Sequence, residues 1–366
     1  MLKEDIMALQ TCIQERLDAA VADGDEIGCQ FAVYIDGELA VNVCAGWLDA
    51  ERTRLVDEQS LFPVFSTGKG IATTAFLCLV ERGLMSLDQK VGEIWPEFAC
   101  NGKEETTVRH ILQHRSGVSI RTPYDFIEQI ADWDVMSRRV AAVKPVFPPG
   151  STTRYQTINY TWLLGELAQR VTGKPFQQVI EDEVLIPMGL QNLFFGVPDQ
   201  ALKRVAPAIR GAEQPAIPEN PPCWDYSLEE IMNNRVIQQA CLPGFNCITN
   251  AIDLAKHYAA LLDSWKGTHV LKQETLRAAR TMSLAPNDPK PAPPAAWSAY
   301  GLGYVVAAPD EQSIARQFGH SGYGGSNGVA WTPGQLSFGF TMNLMRGGAT
   351  HRQEIIDMVK RQCRKN

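Results

Sequence analysis

The chain has 366 residues, enough for two domains of ordinary size or one body carrying a large insertion. Its 45% hydrophobic and 20% charged residues are those of a soluble globular protein, and no apolar run reaches the length of a membrane span. A formal net charge of −7 offers no basic surface, so neither nucleic acid nor a membrane is expected as a partner.

Residues 1–24 read as an amphipathic helix with scattered charges (Lys3, Glu4, Asp5, Glu15, Arg16, Asp18). The stretch lacks the basic start and apolar run of a signal peptide, so a cytoplasmic location is expected. Two β-prone runs follow, Gly28–Ile35 and Glu38–Gly46, joined by Asp36-Gly37, a strong short-range hairpin signal. A polar connection leads to Leu61-Phe62-Pro63-Val64 and then to Phe65-Ser66-Thr67-Gly68-Lys69, ahead of an apolar run from Ile71 to Val80 that closes at Arg82-Gly83. This run predicts a buried helix with Ser66 at its first turn. A serine and a lysine three residues apart share one helix face, one turn apart. A hydroxyl is a poor nucleophile at neutral pH, and a neighbouring lysine can take its proton if burial lowers the lysine pKa. The unpaired N–H groups of a helix N-terminus favour negative charge developing on a tetrahedral intermediate. Taken alone, the pattern also fits a capping serine followed by a solvated lysine. Gly68 and Gly70 predict close approach of other backbone or ordinary tight packing.

From residue 83 to about 283 the pattern is mainly helical, without sustained strand alternation. Residues 107–113 form a short helix ending at His114-Arg115-Ser116-Gly117, and residues 161–171 a longer one ending at Thr172-Gly173, where glycine suits a left-handed cap. Proline-rich stretches at 206–222 and 285–294 are surface connections. Strands reappear at 299–307, 314–319, 327–331 and 335–344, with Pro333-Gly334 as a turn, and a final helix covers about 351–364. The expected fold is α+β: a five-stranded antiparallel sheet built from both chain ends (1–75 and 297–366) and flanked by the terminal helices, with a large, mainly helical domain (76–296) inserted. An active site is expected in the crevice between the two. Nine cysteines, an odd number with no Cys-x-x-Cys pair, predict mostly buried free thiols in a reducing compartment. Six histidines show no metal-ligand spacing, and neither a metal nor an organic cofactor is expected.

Several further stretches, in a fixed order, carry a family resemblance. They are Gly83-Leu84-Met85-Ser86-Leu87-Asp88, Ile111-Leu112-Gln113-His114-Arg115-Ser116-Gly117-Val118, the run from Pro148-Pro149-Gly150 through Tyr155 and Asn159-Tyr160 to Leu163-Leu164-Gly165, Tyr300-Gly301-Leu302-Gly303-Tyr304, and Gly319-His320-Ser321-Gly322. With Ser66-x-x-Lys69, a pattern known in β-lactamases and penicillin-binding proteins, the chain resembles the penicillin-recognising serine hydrolases. These include class C β-lactamases, D-alanyl-D-alanine carboxypeptidases and aminopeptidases, and family VIII carboxylesterases. The resemblance implies a β-lactamase/DD-peptidase-like fold, with Ser66 as the nucleophile and Lys69 and Tyr155 sharing its proton. It implies an oxyanion hole from the backbone N–H groups of Ser66 and Tyr323, and substrate contacts from Thr157, His320, Ser321 and Gly322. His114 belongs to a structural motif in that family, so it is expected to be a buried hydrogen-bonding residue rather than a catalytic base.

Two departures bear on the substrate. Lactamases of this group carry Tyr-x-Asn where this chain has Tyr155-Gln156-Thr157, so the amide that would hold an acylamido group is missing. Their third motif begins with a lysine that helps bind the substrate carboxylate, and here it begins with His320, an imidazole mostly neutral at pH 7. Both changes point to a carboxylesterase acting on small esters through an acyl-Ser66 intermediate. The alternatives are a β-lactamase, a D-amino-acid peptidase or an acyltransferase of the same fold, or a catalytically weak binding or assembly protein. Trp224, Trp297 and Tyr323 are candidates for lining an apolar acyl pocket. The expected partner is a small ester or amide, and the sequence leaves the oligomeric state open.

Overall fold

The computed structural model describes residues 3–119, 122–211, 226–289, 298–346 and 350–364. Trp224, Trp297, the boundary at 296/297 and the proline-rich residues 212–222 and 290–294 lie outside them. Helix α1 (Lys3–Ala22) leads into strands β1 (Gly28–Ile35) and β2 (Glu38–Gly46), paired antiparallel in the expected hairpin. Asp36 and Gly37 both take positive φ, 52° and 80°, the left-handed pair that a two-residue turn requires.

The chain is α+β as expected, but its main sheet has seven strands rather than five. The order is β2-β1-β11-β10-β9-β8-β7, where β7 is Ser298–Tyr300, β8 Val305–Pro309, β9 Ala315–Ser321, β10 Asn327–Trp331 and β11 Leu336–Met342. Part of the difference comes from the single strand expected at 299–307, which is a hairpin. Gly303 takes a left-handed φ of 81°, the chain reverses, and β7 pairs antiparallel with β8.

The sheet is covered on both faces, which is why all eight residues of β1 are buried. Phe31 and Val33 cluster with Leu9, Ile13 and Leu17 of α1. Ala32 and Tyr34, on the other face, cluster with Ala251, Ala255 and Ala259. The helix Ala251–Ala259 comes from the stretch expected to be the insertion, yet it packs on β1, β10 and β11. Small residues permit the approach: a Cβ on Gly339 would lie 2.5 Å from the Ala251 carbonyl, and one on Gly328 would lie 2.5 Å from the Tyr258 ring. The C-terminal helix Thr350–Arg364 packs beside α1.

Between the two ends the described residues are mainly helical, with three short strands, at 193–194, 209–210 and 247–249, that the sequence did not suggest. Strand β3 (Phe62–Phe65) joins β6 (Cys247–Thr249) and β4 (Leu193–Phe194) in a small antiparallel sheet, while β5 (Ile209–Arg210) runs parallel to β12 (Leu344–Met345). The long helix Tyr160–Thr172 ends at Gly173 with a left-handed φ of 69°, as its sequence predicted. Among the described residues all cysteines are free, with Cys29, Cys78 and Cys247 buried and Cys12 exposed. No described helix is long and apolar enough to cross a membrane.

Candidate active site

Strand β3 ends at Phe65, whose φ of 48° is a left-handed conformation seldom adopted by a bulky residue. It swings the chain out of the strand, so that Ser66 occupies the turn just before helix α2 (Gly68–Glu81) rather than the helix itself. The turn closes with the Lys69 N–H donating to the Ser66 carbonyl at 3.0 Å. Both glycines of the stretch are required by close approach. A Cβ on Gly68 would lie 2.3 Å from Cys247 Cβ, and one on Gly70 would lie 2.1 Å from the Tyr258 hydroxyl.

Lys69 is fully buried, and its Nζ lies 3.0 Å from Ser66 Oγ. The ammonium also donates to the carbonyl of Gly244 and sits 4.9 Å from the centre of the Tyr155 ring. Gly244 is held by its N–H donating to Thr161 Oγ1 at 2.9 Å, where a Cβ would lie 2.5 Å from that same oxygen. A backbone carbonyl and an aromatic face are what a buried cation needs in place of water. Tyr155 is stacked on Tyr300 (6.0 Å between centres, 10° between planes) and met edge-on by His114 at 5.0 Å. Burial pushes the Tyr300 hydroxyl up to about 12, so it is a neutral phenol.

His114 is buried and hydrogen-bonded, as expected. It is fully buried, and its Nδ1 faces the Gln156 backbone N–H at 3.4 Å and Gln156 Nε2 at 3.0 Å. Desolvation, and then the charge of Lys69, hold its pKa well below the usual imidazole range. Gln156 points away from the crevice: Ser116 Oγ donates to its Oε1 at 2.6 Å, and its Nε2 donates to the Ile111 carbonyl at 2.7 Å. The residue between Tyr155 and Thr157 therefore ties the two family motifs together. Thr157 has a φ of 46°, a backbone conformation that asparagine tolerates far better than a β-branched residue, at a cost of about 1–3 kcal/mol.

His320 is nearly buried on β9, with Nδ1 2.7 Å from the Ser321 carbonyl. A carbonyl can only accept, so Nδ1 carries the proton. Burial, and then the nearby Lys69 charge, push the His320 pKa down to about 3, which leaves the ring neutral and Nε2 a bare acceptor. Among the described residues Nε2 meets no hydrogen-bond partner.

Tyr323 opens a short turn (Tyr323–Gly325) between β9 and β10. Ser326 laces this loop to the nucleophile turn, since its Oγ donates to the Val64 carbonyl at 2.9 Å and lies 3.1 Å from Thr67 Oγ1. Gly322 leaves no room for a side chain: a Cβ there would lie 2.1 Å from the Val64 carbonyl. The Tyr323 ring meets Phe65 edge-on at 5.3 Å, and its hydroxyl donates to buried Glu229 at 3.1 Å.

These groups surround one cavity of about 390 Å³. Ser66, Tyr155, Thr157, His320, Ser321, Gly322 and Tyr323 all line it, with Lys69 bonded to Ser66 beneath. Phe65, Ile158, Leu228, Phe245, Tyr300 and Val305 complete an apolar, aromatic wall. The sequence reading did not place these six in the site. Tyr300 stood within a recognised motif, whereas Phe245 and the Gly244 carbonyl come from a loop without a motif. Among the described residues no group of three His, Cys, Asp or Glu side chains is placed to hold a metal ion.

The acid response of the fold follows from its imidazoles. His114, His257 and His320 are buried, and desolvation lowers the pKa of each, to about 3 for the last two. Unfolded, each takes up a proton near 6.5, so the unfolded state binds more protons between that pH and about 3. The contribution is whole above pH 6.5 and is lost as pH falls, at about 1.4 kcal/mol per unit for each group. The urea midpoint is expected to drop steadily from pH 6 to pH 4, and less steeply in His257→Gln. Equal slopes in both proteins would contradict a neutral buried His257.

Comparison with known proteins follows the same lines. The beta-lactamase family model matches residues 12–359. The chain is 35% identical over 186 residues to the esterase/beta-lactamase LipL of Mycobacterium tuberculosis, which takes in 50% of this chain and 42% of LipL. It spans about half the length of the curated relatives it matches. Among solved structures, a family VIII carboxylesterase superposes with a TM-score of 0.83 at 27% identity, covering 97% of both chains. A penicillin-binding protein homologue from Caulobacter crescentus gives the same score, identity and coverage.

Proposed function

This chain belongs to the beta-lactamase family, and from that premise we propose that it is a serine hydrolase acting on small, uncharged carboxylic esters. In the reacting form the Lys69–Tyr155 pair has given up one proton, and Ser66 Oγ attacks the ester carbonyl as its own proton passes to that pair. The tetrahedral oxyanion is met by the N–H groups of Ser66 and Tyr323, fixed before the reaction begins. Collapse breaks the bond to the alcohol, which departs with the proton while the acyl group stays on Ser66. Water then adds to the acyl carbonyl, giving its proton to the same pair. Departure of Ser66 Oγ, reprotonated, releases the carboxylic acid.

The observation that carries the ester reading is the charge of the pocket. Among the described residues none that line it is lysine or arginine, the Lys69 cation lies beneath Ser66, and His320, at the position where lactamases carry a cation, is neutral. A β-lactam carboxylate would enter an aromatic cavity without a cation on its wall. An uncharged ester loses nothing there and gains apolar contact. The esterase names of two similar proteins support the same reading.

The test is a comparison of kcat/KM for p-nitrophenyl butyrate and nitrocefin. The ester is expected to be favoured by about 10²-fold or more, in line with the loss of a charged contact. Faster turnover of nitrocefin would replace this reading with that of a β-lactamase.

A further inference from the structure

We propose that Arg352, on the C-terminal helix, is a positioning residue for the oxyanion loop, a reading that rests on the Tyr323 N–H being an oxyanion donor. Its guanidinium joins two separate parts of the molecule. Nε and Nη2 both lie 2.7 Å from Glu26 Oε1, in the connection between α1 and β1. Nη1 donates to the Gly324 carbonyl at 2.6 Å and reaches the Arg346 carbonyl at 3.4 Å. Glu26 is fully buried, and the same carboxylate oxygen lies 2.9 Å from His351 Nε2. The carboxylate fixes the guanidinium, and the guanidinium fixes the residue that follows the donor.

The loop needs such a tie. Gly324 and Gly325 stand directly after Tyr323 with φ values of 80° and 115°, conformations that glycine reaches at little steric cost and leaves as readily. Neither tolerates a side chain. A Cβ on Gly324 would lie 2.5 Å from Met345 Sδ, and one on Gly325 would lie 1.6 Å from Arg352 Nη1. Ser326 holds the loop on the side of the nucleophile turn, and Arg352 holds it on the side of the terminal helix. A donor misplaced by about 1 Å costs on the order of 10²-fold in rate. The geometry therefore couples a buried ion pair between the two chain ends to the alignment of the oxyanion donor.

The decisive variant is Arg352→Lys, which keeps a positive charge beside Glu26 but replaces a planar fork by a single ammonium. For p-nitrophenyl butyrate, kcat is expected to fall about 10- to 100-fold with KM changed less than about threefold. Affinity for phenylboronic acid, whose tetrahedral serine adduct presents an oxyanion-like hydroxyl to the loop, should weaken in step with kcat/KM. The double variant Glu26→Gln/Arg352→Met removes both charges, so that no buried ion is left alone, and the same fall is expected in folded protein. If either folded variant keeps kcat and boronate affinity within about twofold of wild type, the proposal is overturned. Wild-type protein that takes up no acyl group on Ser66 would instead overturn the active-site reading, and this proposal with it.

Discussion

Lys69→Met is expected to lower kcat/KM for ester hydrolysis by about 10³-fold or more while the protein stays folded. Methionine approximates the length and volume of the lysine stem but cannot take a proton from Ser66 Oγ, 3.0 Å from the native Nζ. The nearby histidines do not substitute. His114 is engaged with Gln156, and the Nε2 of His320 belongs to a ring too weakly basic, with a pKa of about 3, to carry the proton. Two effects on stability oppose each other. The Gly244 carbonyl loses a donor, which costs about 1–3 kcal/mol, and a buried cation no longer has to be desolvated. The melting temperature should therefore move little while activity collapses. A folded variant that retains a tenth of wild-type activity would remove Lys69 from the mechanism.

Gly322→Ala is expected to damage both stability and rate through one atom. The glycine φ of −114° suits any residue, so backbone strain is not the cause. The cause is space: the new methyl would lie 2.1 Å from the Val64 carbonyl, 2.3 Å from Ser326 Oγ and 2.8 Å from Thr67 Oγ1. Those three groups form the lacing between the oxyanion loop and the nucleophile turn. Relief requires the loop to move outward, breaking the Ser326 bonds and carrying the Tyr323 N–H with it. Overpacking of this kind costs about 1–3 kcal/mol, and loss of one oxyanion donor costs about 10²–10³ in kcat. Thermal unfolding and steady-state kinetics on the same preparation check both. An alanine variant with unchanged kcat would show that the loop does not hold a catalytic donor.

Much of the fold was legible because local chemistry and tertiary packing agree. Asp36-Gly37 can turn in few other ways, Gly173 takes the left-handed cap its position invites, and twelve of the fourteen residues of α2 are buried, as its apolar run implied. The strand count was not legible, because the 299–307 run reads as one continuous β-prone stretch and the left-handed conformation of Gly303 divides it. The place of the helix Ala251–Ala259 on the sheet was hidden for a different reason. Its alanines carry little hydrophobic signal, and the glycines that let it approach, Gly328 and Gly339, lie about eighty residues further along the chain.

At the site, side chains within motifs could be located from the sequence, and the pocket gathers seven of the eight residues named there, with Lys69 beneath. Backbone groups could not. The Gly244 carbonyl that receives Lys69 has no side-chain signature, and the left-handed turn at Phe65 contradicts the usual preference of an aromatic residue. The role of Gln156 was missed because only its neighbour Thr157 was read for the substrate, whereas the Gln156 amide faces Ser116 and Ile111. Arg352 was invisible for lack of locality, since its partners at Glu26 and Gly324 are separated from each other by nearly the whole chain.

The central claim is that Ser66 is an activated nucleophile, and the most direct measurement is intact mass after brief mixing with p-nitrophenyl butyrate, followed by peptide mapping. The account predicts a single added butyryl group on the peptide containing Ser66, formed with a burst of p-nitrophenol and absent from Ser66→Ala. Ester hydrolysis that persists undiminished in Ser66→Ala, or a butyryl group carried on any other residue, would contradict it.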